Sequence, residues 1–153
     1  MRVVVISGSM FGTTDLVADR AVTVLQGAGL QVERLGEMSL DLLLEQQADA
    51  WLVCTSTTGM GELPDNLLPL HLQLQERFPL LDGKPFGVIA LGDSAYPDTF
   101  CAGGLLMREQ LLELQGRELL PMLQLDASET VTQEDDAEPW LGEFVEALAA
   151  RQL

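Results

Sequence analysis

Three apolar runs of strand length stand out along the chain: Val3-Val4-Val5-Ile6, Ala50-Trp51-Leu52-Val53-Cys54 and Phe86-Gly87-Val88-Ile89-Ala90-Leu91. Continuous runs of this kind, bounded by Gly, Ser and Thr clusters, predict strands buried on both faces of a parallel sheet. Leu30-Gln31-Val32-Glu33-Arg34-Leu35 alternates apolar with polar, the pattern of an edge or half-buried strand. Leu119 to Leu125 predicts a fifth strand that runs without interruption into the acidic stretch Ser128 to Glu138. Between the strands the apolar period changes. From Thr13 to about Gly27, residues Leu16, Val17, Ala21, Val24, Leu25 and Ala28 recur at helical spacing, and Gly27 and Gly29 mark the stop. A second helix is predicted with Leu67, Leu68, Leu70, Leu74 and Phe78 on one face. Others run from Ala102 to Gln115, closed by Gly116, and from Pro139-Trp140 to Ala150; Leu40, Leu42, Leu43 and Leu44 suggest a short one. Strands alternating with helices predict a single α/β domain over residues 1–153, a parallel sheet with helices on both faces.

The polar, Gly-rich segments follow the first, third and fourth strands. In an open α/β sheet ligands bind outside the carboxyl ends of the strands, beside the topological switch point. The three loops are therefore expected to converge on one site. The first, Ser7-Gly8-Ser9-Met10-Phe11-Gly12-Thr13-Thr14, offers backbone N–H groups, hydroxyls and the positive end of a helix to an anion. It contains no Lys or Arg, and a Ser/Thr-rich N-cap without a ligand fits the same residues. It matches neither G-x-G-x-x-G nor the G-K-[ST] ending of a P-loop, which disfavours a dinucleotide or a nucleoside triphosphate. The second loop, Thr55 to Asn66, holds hydroxyls and then Gly59-Met60-Gly61, where the main chain can approach a flat ligand closely. The third supplies Gly92, Asp93, Tyr96, Phe100 and Cys101. Its aromatics can stack on a planar ring or pack the loop, and Asp93 fits a turn as well as it fits a ligand contact. A phosphate on the first loop and a heterocycle between the other two describe a flavin mononucleotide.

Charge narrows the partners. The 153 residues carry 24 Asp and Glu against 8 Lys and Arg, a net charge of −16, with Lys84 the single lysine. Such a field repels nucleic acid and anionic membranes and favours basic protein partners. No apolar run reaches the length of a membrane span and the N-terminus lacks a signal-peptide pattern, so a cytoplasmic protein is expected. Cys54 and Cys101 fit no metal spacing. His71, the one histidine, is expected on the solvent face of its helix. No nucleophile–base pair is apparent, which argues against hydrolytic chemistry.

The segments S-G-S-M-F-G-T-T, T-S-T-T-G-M-G-E-L-P-D-N and A-L-G-D-S-A-Y-P-D-T-F-C resemble the three FMN loops of flavodoxins. The likeness covers the whole chain and is greatest to short-chain flavodoxins of the MioC and YqcA kind and to the FMN domains of diflavin reductases. It implies a flavodoxin-like five-stranded parallel sheet of order 2-1-3-4-5. It further implies that Ser9, Met10, Phe11, Gly12, Thr13 and Thr14 cradle the phosphate. Thr57, Thr58, Gly59, Met60 and Gly61 would line one side of the isoalloxazine, and Leu91, Gly92, Asp93, Tyr96, Phe100 and Cys101 the other. Phe11 stands where many relatives carry Thr, and Thr58 where many carry an aromatic, so Tyr96 is expected to be the stacking ring. The implied function is that of a monomeric one-electron carrier between a basic-faced flavoprotein reductase and acceptor enzymes. A flavodoxin-like NAD(P)H:quinone reductase and an FMN-free regulator of the same fold are the alternatives.

Overall fold

A computed structural model describes residues 1–9, 12–35 and 39–151. Its elements are β1 (Arg2–Gly8), α1 (Thr13–Gly27), β2 (Gln31–Leu35), α2 (Leu40–Glu45), β3 (Ala50–Thr55), α3 (Leu68–Arg77), β4 (Pro85–Gly92), α4 (Ala102–Glu113), β5 (Arg117–Glu118), β6 (Leu123–Asp126), α5 (Gln133–Asp136) and α6 (Glu138–Arg151). The strands pair in parallel in the order β2-β1-β3-β4-β5, and β6 also pairs with β4. That is the 2-1-3-4-5 order of the flavodoxin-like sheet.

Alternation along the central strands splits the core into two layers. Val4, Ile6, Trp51, Val53, Phe86 and Val88 face the layer built by Leu43 of α2, Leu70 and Leu74 of α3, and Met107 and Leu111 of α4. Val3, Val5, Leu52 and Ile89 face the opposite layer, where α1 contributes Val17, Ala21 and Leu25, and α6 contributes Leu141, Phe144 and Leu148. Each apolar run is buried on both faces because each alternate residue finds a different helix layer. The register places Ser7 opposite Cys54 and Gly8 opposite Thr55, and Thr55 opposite Ala90, so the loops after β1, β3 and β4 leave the sheet side by side.

Two expectations need correction. The fifth strand is not continuous: Arg117–Glu118 and Leu123–Asp126 pair with opposite ends of β4, and residues 119–122 between them lie outside a strand. Pro121 accounts for the break, since it has no N–H for a ladder, and its carbonyl instead accepts the indole N–H of Trp140 at 3.0 Å. His71 does not face solvent. It is 7% exposed and lies in line with Leu67, Leu70 and Leu74, while Leu68 and Phe78, expected on that face, are exposed.

Candidate functional site

The three loops enclose a cavity of about 490 Å³ at the carboxyl ends of β1, β3 and β4. That lies within the roughly 300–1,000 Å³ usual for cofactor pockets. At one end Ser9, Thr13 and Thr14 line it. Gly12 is the N-cap of α1, with φ 86°, and no side chain caps the helix there. The left-handed conformation suits glycine, and the first-turn N–H groups are left for another acceptor. The hydroxyl oxygen of Ser9 accepts the Gly12 N–H at 3.0 Å, and the Ser9 N–H donates to Asn66 Oδ1 at 3.1 Å. Asn66 completes the tie by donating its Nδ2 to the carbonyl of Ser7 at 3.1 Å. The phosphate-type loop is thus held by the residue that closes the loop after β3. Met10 and Phe11, the other expected members of the cradle, lie outside the described residues.

Ser56, Thr57 and Gly59 line the cavity from the second loop. Thr57 is the joint between three elements: its hydroxyl accepts the N–H of Gly103 at 2.9 Å and donates to the carbonyl of Leu91 at 3.4 Å. Thr58 faces the other way. It forms a bridge with Glu62 and its hydroxyl reaches the carbonyls of Glu62 and Leu63. This closes a tight turn, with Gly61 N–H on the Thr58 carbonyl at 3.0 Å and Met60 87% exposed at the tip. Thr58, Met60 and Gly61 are therefore outside the cavity wall, and the Thr58 hydroxyl is engaged by the loop itself.

Leu91, Gly92, Asp93, Tyr96 and Thr99 form the third wall. Asp93 Oδ1 accepts the N–H of Ala95 at 2.9 Å, an Asx-type turn that leaves the residue bordering the cavity. Tyr96 stands 68% exposed at the rim. The loop is pinned from below by Asp126, whose Oδ1 accepts the N–H groups of Ser94 and Ser128, each at 3.0 Å. The hydrogen bonds from Ser94, and then those from Ser128, hold the Asp126 carboxyl well below the usual carboxylate range. Phe100 and Cys101 were expected on this wall and are not part of it. Phe100 is half-buried behind Gly92. Cys101 is 1% exposed, with its thiol on the carbonyl of Ala90 at 3.5 Å. Burial pushes that thiol up to about 11, and the Cys54 thiol of β3 up to about 12, so both stay protonated at neutral pH.

Four further residues complete the cavity wall without a motif in the sequence to mark them: Ser56, Thr99, Ala127 and Gln133. Ser56 lies within the hydroxyl run 55–58 and was legible by that company. Gln133 sits in the acidic stretch, and nothing local distinguishes it.

A doubly wound parallel sheet with such a cavity at its switch point defines the flavodoxin-like class of α/β proteins. The flavodoxin family model matches residues 5–140, and the chain belongs to that family. Flavodoxin YqcA of Escherichia coli is 36% identical over 137 residues, which span 90% of this chain and 91% of the relative. A variant of flavodoxin from Pseudomonas aeruginosa shares the fold with a TM-score of 0.93 at 55% identity, covering 97% of this chain and 99% of that one. Oxidised flavodoxin 1 of Bacillus cereus gives a TM-score of 0.83 at 26% identity, over 95% and 98% of the two chains.

Proposed function

We propose that this chain binds FMN and works as a one-electron carrier between a reductase and acceptor enzymes, without a substrate of its own. The observation that carries the reading is one cavity joining an uncapped helix N-terminus at one end to an exposed aromatic ring at the other. The residues fit the cofactor. Ser9, Thr13 and Thr14 would hold its phosphate through hydroxyls and the α1 dipole. Thr57, Gly59, Leu91, Gly92 and Asp93 would border the ring, and Tyr96 would stack on it. FMN when bound supplies the redox chemistry, and the protein supplies position and electrostatics. Gly59, with φ 49°, sits in the turn Thr58–Gly61, where a peptide can turn its carbonyl toward a ring at low steric cost. The loops around the ring also carry Glu62, Asp65, Asp93 and Asp98, whose charge opposes the accumulation of a second electron. The NAD(P)H:quinone reductase alternative is not favoured, since the relatives named above are flavodoxins.

Calorimetric titration of the apoprotein tests the reading. FMN is expected to bind more tightly than riboflavin, because only FMN engages the helix end. Equal affinity for the two would overturn the phosphate assignment.

A further inference from the structure

Not every polar side chain of the cavity wall has a role in the reading above. Gln133 is the first residue of α5 and is 3% exposed, and its Oε1 is buried with no hydrogen-bond partner among the described residues. Buried side-chain acceptors are nearly always paired in native proteins, so a lone one bordering a ligand cavity points to a donor from the ligand. The position is specific. Arg20 of α1 pairs with Asp135 at 2.9 Å and donates to the Glu134 carbonyl at 3.5 Å, which fastens α5 beside α1. Gln133 therefore shares its wall with Thr13 and Thr14, where the phosphate would sit. The same wall includes Ala127, next to the Asp126 that pins the ring-side loop at Ser94. Ser56 Oγ, on this cavity too, is likewise buried and without a partner among the described residues. Between phosphate and ring, FMN carries a ribityl chain with three free hydroxyls, each both a donor and an acceptor.

We propose that Gln133 reads that chain: its carboxamide hydrogen-bonds a ribityl hydroxyl and favours flavins that carry the polyol over the bare ring. A carboxamide suits this contact because a half-turn about its last side-chain bond exchanges donor for acceptor. It does so without adding charge beside the phosphate. The proposal rests on the flavin reading of the cavity.

The test uses the apoprotein and its Gln133→Leu and Gln133→Met variants, titrated with FMN, riboflavin and lumiflavin, which has the ring but no polyol. Both variants are expected to bind FMN and riboflavin about five- to tenfold more weakly, the worth of one hydrogen bond. Lumiflavin affinity and the melting temperature of the apoprotein should not fall. Unchanged FMN affinity in the variants overturns the proposal, because the buried oxygen is then satisfied by water or tolerated alone. A parallel loss of lumiflavin, or a loss confined to one variant, also overturns it and assigns the effect to packing. Failure of the unmodified protein to bind any flavin would defeat the FMN reading itself, and this proposal with it.

Discussion

If the cavity holds FMN as proposed, Tyr96 is the residue on which ring binding turns. Its side chain is exposed at the rim, so its ring loses little by exchanging solvent for a flavin face. Tyr96→Ala is expected to weaken FMN binding by about one order of magnitude, whereas Tyr96→Phe keeps the stacking face and should change it little. Equal losses in both variants, read by flavin fluorescence, would assign the effect to the hydroxyl. His71 makes a different claim, on stability. Burial between α3 and α4 holds its imidazole below the ordinary value of about 6.5, against the opposing pull of a hydrogen bond to the Leu106 carbonyl. The unfolded chain therefore takes up a proton that the folded chain resists. Stability from this group is complete above about pH 6.5 and is lost as pH falls toward the folded-state value. Urea unfolding at pH 7.5 and pH 5 should show a drop in the wild type that His71→Gln lacks. At this scale the sequence is legible only in part. Hydroxyls and glycines announced the loops, because holding an anion and a flat ring demands those residue types. Thr58, Met60 and Cys101 lie off the cavity lining, which the sequence does not show, because a residue's company does not tell which side of a loop it faces. The polarity of His71 suggests a solvent face, but the period of 67, 70, 71, 74 marks it as core.

Between elements, the telling contact is Asn66. It spans the loops after β1 and β3, receiving the Ser9 N–H and donating to the Ser7 carbonyl. Asn66→Leu removes both bonds and should lower unfolding stability by about 1 kcal/mol. The loss of FMN affinity should be larger than that stability change suggests, because the phosphate loop and the ring loop would no longer be fixed to each other. A stability loss with unchanged affinity would show that the two loops are positioned independently. The strands and their order were legible because a strand buried on both faces can hardly be written otherwise than as an apolar run. The split of the fifth position was not, although its cause, Pro121, stands in plain sight. Apolar continuity from Leu119 to Leu125 suggests an unbroken strand, but Leu119, Leu120 and Met122 are only half-buried, Pro121 is exposed, and pairing is interrupted there. The short helix Gln133–Asp136 was hidden for the opposite reason: an acidic stretch reads as a linker, and only its packing on α1 gives it a structure.

The whole molecule carries a net charge of −16, and several of its cations are already engaged. Arg20 and Arg34 pair with acids on or beside α1, Arg77 with Asp41, and Arg108 with Glu118, so little positive charge is left to break the field. Because those pairs are mostly exposed, each adds little to stability; their consequence is the uniform sign of what a partner meets. A reductase that docks over the cavity should therefore present Lys and Arg around its own cofactor, and encounter should be steered by the long-range field. At about 0.1 M salt the screening length is about 10 Å, shorter than the approach over which steering acts. The rate of electron exchange with a basic-faced flavoprotein reductase is thus expected to fall steeply between about 20 and 300 mM salt. Stopped-flow reduction of the FMN-loaded protein at graded ionic strength measures this directly. A redox titration on the same sample should resolve two one-electron steps, with the second at lower potential because it adds charge beside Asp93 and Asp98. The two measurements separate two claims. A single two-electron wave would defeat the carrier reading and revive a two-electron reductase. A salt-independent rate with two resolved steps would keep the carrier and remove electrostatic docking as the means by which it finds its partner.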